Sequence, residues 1–469
     1  MNYRETVDYI LNIPLFAQKI GTENLASLLE RLGNPQDKTR VIHVAGTNGK
    51  GSTAKALATL LMEAGFHVGL FTSPHLVSIN ERIKYDNSDI SEEDFVWAFE
   101  TVQKQFTVHP SFFEVMFAMA AVYFEKKRPD YVIYETGMGG RLDATNVVKP
   151  ELCMITSVGL DHMEYLGDTI EKIAEEKAGI IKPSVPIVYF NRDAVSSGII
   201  EAKAKISNSP VAAVEISQYI INEIDDKTID FSLHNRYYNY DHLKIKRTSL
   251  YQVENACLAV TAFSILMKRR ITARDFADSD RRLPNGVNDK CEPNSDRHMP
   301  SEVNDRRMQN IGDEQIRNRI IRRGLLNFSW EGRMEELAQD VYVDGAHNPE
   351  AIDSYCKTLQ LLHNGKKKIL IFAVVKDKDY DTMIKTLAEK LSFEKIIVAG
   401  VENKRKAPVS FIADRFETYT GRRVDACDSI SEAMERAFEY KKQIPDSAIY
   451  CVGSLYLVGE VKKWMKEHA

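Results

Sequence analysis

Residues 41 to 53, Val-Ile-His-Val-Ala-Gly-Thr-Asn-Gly-Lys-Gly-Ser-Thr, constrain this chain more than any other stretch. Val41 to Ala45 form an apolar run that reads as a buried strand. The run empties into a loop with Gly46, Gly49 and Gly51 around Lys50, and a helical pattern begins at Ser52. That order of elements suits a polyphosphate. Glycines let the backbone curl so that N–H groups point inward, Lys50 adds a compact positive charge, and the helix offers its positive end. The spacing departs from the common Walker frame. Only Thr47 and Asn48 separate Gly46 from Gly49, and Gly51 intervenes before the hydroxyl of Ser52. A tight connection without a ligand is the bland alternative; glycines, lysine and hydroxyls coinciding at one strand–helix junction speak against it.

The rest of the first half alternates apolar runs with helical patterns, which predicts a mostly parallel sheet with helices on both faces. Strands are expected at 67–72, 131–134, 152–156 and 185–190, and helices at 52–64, 92–105, 113–126 and 170–180. The residues just past each strand end are the most informative. The first strand runs into Lys50, the next into Ser73-Pro74-His75, then Glu135-Thr136-Gly137, then Asp161-His162. Ligands of open parallel sheets bind beyond the carboxyl ends of the strands. Lys50, Ser73, Glu135 and His162 are therefore expected to converge.

Those residue types suit a nucleotide-bound magnesium ion, which takes one or two protein oxygens plus phosphates and water. Glu135 is a natural ligand and the Ser73 hydroxyl a second; His162 fits manganese equally well. Taken singly, each has an ordinary alternative as a cap, a turn former or a loop residue. Residues 135–146 form a second glycine-rich loop, in which Arg141 and Asp143 can hydrogen-bond an organic substrate.

Bulk properties narrow the setting. A chain of 469 residues with 44% hydrophobic content implies a globular protein of two or three domains. The net charge of -5 gives no sign of a nucleic-acid or membrane partner. Six scattered cysteines without a C-x-x-C pair read as reduced thiols. With no signal-like segment, and Val115 to Phe124 too short to span a bilayer, a cytoplasmic, monomeric protein is expected.

Several motifs in order carry a family resemblance. They are Gly46-Thr-Asn-Gly-Lys-Gly-Ser52, Thr72-Ser-Pro-His-Leu76, the 135–146 loop, Gly159-Leu-Asp-His162 and Glu176-Lys-Ala-Gly-Ile-Ile-Lys182. Gln252-Val-Glu-Asn-Ala256, Gly332-Arg-Met-Glu335, Asp344-Gly-Ala-His-Asn-Pro349 and 453–459 continue the series. The chain resembles the folylpolyglutamate synthase/dihydrofolate synthase family of the Mur ligase superfamily over nearly its whole length.

The resemblance implies an ATP-dependent ligase that makes an acyl phosphate on a folate or dihydropteroate carboxylate, which the amine of L-glutamate then attacks. It implies that Gly46, Thr47, Asn48, Gly49, Lys50, Gly51 and Ser52, with Asn255, Arg333 and Asp344, bind ATP. Ser73, Glu135 and His162 would hold one of one or two magnesium ions. Ser111, Phe112, Phe113, Glu114, Leu142, Asp143 and Ala144 would line the pterin pocket, although paired aromatics before a helix are more often core. Lys50 and His347 would act in catalysis. Lys177, by default a solvated lysine on a charged helix face, would be carbamylated and help hold a second magnesium.

The second half repeats the strand–helix style without a phosphate loop, with strands expected at 341–343, 368–374, 395–398 and 448–452. The fold expected is thus α/β: an N-terminal P-loop-type, mostly parallel sheet domain at 1–276 and a smaller Rossmann-like α/β domain at 325–469. The polar stretch 277–324, rich in Asp, Asn and Arg toward its start, reads as an inserted linker. Lys378 and Asp379 resemble a family loop motif without an assigned role. Two other readings stand beside this one. A Mur-type ligase on another carboxylate is disfavoured by the little chain that precedes Gly46, and a non-catalytic nucleotide-binding regulator by the near-complete set of site residues.

Overall fold

The computed structural model describes residues 1–14, 22–225, 227–235, 238–246, 248–279, 314–362, 365–403 and 405–468. Side chains of 269–279 are outside that description, as is most of the expected linker.

The first domain is built on strands β1 (Arg40–Ala45), β2 (Val68–Phe71), β3 (Ile83–Tyr85), β4 (Ser88–Asp89), β5 (Tyr131–Glu135), β6 (Pro150–Ile155), β7 (Ile187–Asn191) and β8 (Val211–Glu215). They form one sheet in the order β4-β3-β2-β5-β1-β6-β7-β8. All pairs from β2 to β8 are parallel; β3 and β4 are an antiparallel edge. Central strands such as β5 are buried at every position, as a parallel sheet covered on both faces requires. Ile42 and Val44 face a core shared with helices Lys50–Glu63 and Tyr251–Ser279. Val41 faces the opposite core, under the helix Phe112–Lys127. That helix is buried from Val115 to Phe124 and apolar on all sides, hence interior. A separate antiparallel sheet, β9 (Tyr219–Ile224), β10 (Thr228–His234) and β11 (Asn239–Lys246), has the order β11-β10-β9. It packs Phe231, Leu243 and Ile245 into the first of these cores.

The second domain holds β12 (Arg333–Ala338), β13 (Val341–Asp344), β14 (Lys367–Phe372), β15 (Lys395–Ala399), β16 (Asp425–Cys427) and β17 (Ser447–Val452). Their order is β12-β13-β17-β14-β15-β16, antiparallel only at the β12–β13 edge.

The expected strands and helices are found with small shifts at their ends, and the helix after the phosphate loop starts at Lys50 rather than Ser52. Strands β3, β4, β8, β9–β11, β12 and β16 were not anticipated from the sequence. Helix Glu314–Asn327 overlaps the end of the expected linker. Its Ile320, Ile321 and Leu325 belong to the first domain's core, and Gly324 lets it approach the helix Lys50–Glu63, since a Cβ there would lie 2.8 Å from Leu60 Cδ2. Among the described residues no helix is long and apolar enough to cross a membrane.

Candidate active site between the domains

The loop after β1 is shaped by glycine and fastened to the loop after β6. Gly46 and Gly49 have φ of 151° and 82°, conformations that suit glycine. A Cβ on Gly46 would collide with Thr156 Oγ1. Thr156 Oγ1 donates to the Asn48 carbonyl at 2.6 Å, and Asn48 N donates to Ser157 Oγ at 3.0 Å. Lys50 Nζ rests on the carbonyls of Gly46 (3.1 Å) and Thr47 (3.3 Å), with no carboxylate partner among the described residues. From the helix Tyr251–Ser279, Gln252 Nε2 donates to Ser52 Oγ at 3.2 Å, and Asn255 Oδ1 accepts from Thr53 Oγ1 at 3.2 Å.

Glu135 lies at the end of β5, 3% exposed, and its Oε2 accepts from Ser73 N at 3.0 Å. Burial pushes its carboxyl up to about 7 against the pull of Lys50. His162, in a left-handed conformation, is brought down to about 4 by desolvation, which outweighs the opposing pull of Asp161 and is aided by the cations Lys378, Lys50 and Lys177. Among the described residues no three His, Cys, Asp or Glu side chains gather closely enough to enclose a metal by themselves. A buried carboxylate beside a phosphate loop nevertheless suits magnesium, which completes its shell with phosphate and water. Lys177 is 2% exposed, and burial followed by the nearby Lys50 charge lowers its amine to about 7.

The second domain closes the cleft. Arg333 begins β12 opposite Asp344 of β13. Asp344 is fully buried and accepts from Ser249 Oγ (2.8 Å), Tyr251 Oη (3.1 Å), Met334 N (3.0 Å) and Ala346 N (2.9 Å). Burial raises its carboxyl against these donors and Arg333. Arg333, His347 and Asn48 line one cleft together with Asn255 and Ser157. His347 Nδ1 contacts the Gly345 carbonyl at 2.7 Å, and burial and Lys378 hold the ring down to about 4.

Three residues not singled out from sequence stitch the domains here. Glu350 Oε2 accepts from Asn48 Nδ2 at 2.9 Å, and Glu350 Oε1 lies 3.3 Å from Arg192 Nη1. Asn348 Nδ2 donates to Asn48 Oδ1 at 2.9 Å. Asn348 sits within the 344–349 motif and Glu350 directly after it, so the signal was adjacent; Arg192 had none.

The expected acceptor residues divide. Ser111 caps the helix Phe112–Lys127 and Glu114 completes the capping box, accepting from Ser111 N at 2.8 Å. Asp143 accepts from Met138 N (2.9 Å), Thr145 N (2.9 Å) and Thr145 Oγ1 (2.6 Å), so it organises its own loop. Phe112 is buried, and Phe113 packs on Phe71 and against Gly137. Leu142 is exposed, and Ala144 packs at the edge of the Phe112–Lys127 core.

A mostly parallel sheet domain joined through its strand ends to a second α/β domain is the layout of a Mur ligase, and the family matches agree. Residues 44–263 match the Mur ligase middle domain and 332–455 the Mur ligase glutamate ligase domain. The dihydrofolate synthase/folylpolyglutamate synthase of Bacillus subtilis (strain 168) is 31% identical over 99% of both chains. The crystal structure of folylpolyglutamate synthase from Thermotoga maritima superposes with a TM-score of 0.76 at 29% identity, covering 100% of this chain and 97% of that one. A solved FPGS–AMPPCP–folate complex gives a TM-score of 0.76 at 28% identity, with 99% of each chain covered. The chain belongs to the folylpolyglutamate synthase/dihydrofolate synthase family and is an ATP-dependent amino-acid ligase.

Proposed function

We propose that this enzyme joins L-glutamate to the carboxylate of a folate or of dihydropteroate. A carboxylate resists attack until one oxygen becomes a good leaving group, so ATP first converts it to an acyl phosphate. The glutamate amine then displaces phosphate. The observation that carries this reading is Lys50, without a carboxylate partner among the described residues, acting on the buried carboxylate Glu135 at the strand ends, beside a cleft lined by Arg333 and His347 of the second domain. Such a cleft excludes water from a hydrolysable intermediate.

In this reading Gly46 to Ser52 cradle the ATP phosphates, and Lys50 offsets charge building on the transferred phosphoryl group. Asn255 and Arg333 border the nucleotide, while Asp344 holds the segments beneath it. Ser73, Glu135 and His162 would hold magnesium, which supplies further neutralisation of phosphate charge when bound. Phe112, Phe113 and the 142–144 loop border the acceptor. Lys177, buried and readily deprotonated, is carbamylated, which replaces a cation beside Lys50 with an anion.

Purified protein with ATP, glutamate and either dihydropteroate or a folate tests the proposal through ADP release. Turnover dependent on glutamate with at least one acceptor is expected, and silence with both would overturn it. Lys50→Ala should abolish turnover with either acceptor.

A further inference from the structure

Arg82 ends the short 3-10 turn Ile79–Arg82 and leads into β3. Because β3 runs antiparallel to β2, with Ile83 opposite Phe71, the start of β3 lies at the carboxyl end of β2. Thr72 N donates to the Arg82 carbonyl at 3.0 Å. The antiparallel edge thus delivers a guanidinium to the same crevice as Ser73 and Glu135.

Arg82 as a whole is only 8% exposed. Its Nε donates to His75 Nδ1 at 2.9 Å. A nitrogen that accepts carries no proton, so His75 orients the group without offsetting its charge. The carbon of the guanidinium lies 5.0 Å from the centre of the Phe112 ring. Among the described residues Nη1 and Nη2 have no hydrogen-bond acceptor and no ion-pair partner in the protein. The carboxylates that act on Arg82 are Glu135 and Glu81. Glu81 is spent on the backbone N–H groups of Leu76, Val77 and Ser78 at 2.7, 3.0 and 2.7 Å. Glu135 attracts the fork from beyond ion-pair distance and already accepts from Ser73 N, so no carboxylate sits on it, and a buried charge left that way is costly to keep. The fork is also shaped to take two oxygens of a carboxylate at once.

We propose that Arg82 is the clamp for the acceptor carboxylate, gripping it for phosphorylation and keeping hold of the acyl group until glutamate attacks. The inference rests on the ligase reading above and adds the residue that binds the reacting group. One carboxylate oxygen attacks the γ-phosphorus and the bond to the bridging oxygen of ADP breaks. The other oxygen stays on the fork as the carbonyl oxygen of the acyl phosphate. The amine of glutamate then adds at the carbonyl carbon, phosphate leaves with the bonding pair, and the proton shed by the amine passes to the departing phosphate. Arg82, His75, Phe112 and Glu135 all belong to the first domain, so the clamp exists before the domains meet. This favours the acceptor, which must be in place first, over the incoming glutamate.

Replacing glutamate with hydroxylamine isolates the first half-reaction, because the acyl phosphate is trapped as a hydroxamate. Wild-type protein should form hydroxamate from ATP and folate or dihydropteroate. Arg82→Gln should form it on the order of 100-fold more slowly, with a raised acceptor KM and an unchanged affinity for an ATP analogue. Arg82→Lys, with charge but no fork, should recover part of the loss. His75→Leu should raise the acceptor KM without moving the ATP KM, and His75→Gln, which can still accept from Nε, should restore part of it. That pair keeps the test open where Arg82→Gln does not fold. Wild-type hydroxamate rates in Arg82→Gln, alone or with a raised glutamate KM, would overturn the clamp. Absence of hydroxamate from the wild type would instead remove the acyl-phosphate reading, and the clamp with it.

Discussion

Lys378 of the second domain donates to Asp161 of the first at 2.6 Å, and the two side chains are 11% and 10% exposed. Burial works to raise the Asp161 carboxyl, but Lys378, His162 and His347 overcome it and hold it well below the usual carboxylate range. Removing one member of a buried pair strands the other, at a cost of about 3–5 kcal/mol. Parting of the two domains would let water reach Asp161, so the cost should appear as opening before it appears as unfolding. Lys378→Met is expected to enlarge the radius of gyration in solution scattering. The ATP KM should rise on the order of tenfold, because the closed form is then only fractionally populated. Unchanged scattering together with an unchanged KM would show that this pair does not hold the domains.

Lys177 gives a pH dependence with a definite sign. Its folded pKa of about 7 lies below the ordinary 10.5 because the amine is buried beside Lys50. Between those values the folded protein binds fewer protons at this site than the unfolded chain. The stability contribution of the group therefore rises with pH across that window and is fully expressed above it. Carbamylation needs the neutral amine. Enzyme depleted of carbon dioxide should lose activity and regain it with bicarbonate. At a fixed concentration of dissolved carbon dioxide, reactivation should accelerate as pH passes through about 7 and then level off. A plain amine at Lys177 in density from bicarbonate-soaked crystals would contradict the modification.

Much of the candidate site was legible because parallel strands all end on one side, so Lys50, Ser73, Glu135 and His162 could be brought together from four separate segments. Arg82 escaped that logic, since it begins an antiparallel edge strand and reaches the crevice from the opposite chain direction. Helix Glu314–Asn327 escaped for another reason. Its Arg-rich sequence reads as solvated, while its buried stripe rests on only a few residues, among them Ile320, Ile321 and Leu325. Glu114 and Asp143 show the converse limit: their positions match a substrate pocket, yet each carboxylate is also engaged by its own backbone. A motif places a side chain; its hydrogen-bond partners decide how much of it is left for a ligand.

Asp344 makes that distinction measurable. Its two oxygens receive four donors from Ser249, Tyr251, Met334 and Ala346, drawn from both sides of the domain junction. Asn at this position turns an NH2 group toward at least one of those donors, leaving it unpaired in the interior at about 1–3 kcal/mol. Asp344→Asn should therefore lower the melting temperature as well as weaken ATP binding. Weakened ATP binding with an unchanged melting temperature would show that the carboxylate serves the nucleotide alone.

Gly49 tests the phosphate loop without touching a charge. Its φ of 82° costs an L-residue about 1–2 kcal/mol. A Cβ would also strike Asn255 Oδ1, which accepts from Thr53 at the start of the following helix. Gly49→Ala should therefore destabilise the protein by about 1–3 kcal/mol and weaken binding of an ATP analogue by more than about tenfold, since the loop N–H groups no longer converge. Adding Asn255→Ala removes the crowding but leaves the backbone conformation unfavourable. The double variant should regain part of the melting temperature and little of the nucleotide affinity. Wild-type analogue affinity in Gly49→Ala would mean that the loop holds phosphate without the left-handed turn at this position, and the cradle would have to be assigned to the neighbouring residues instead.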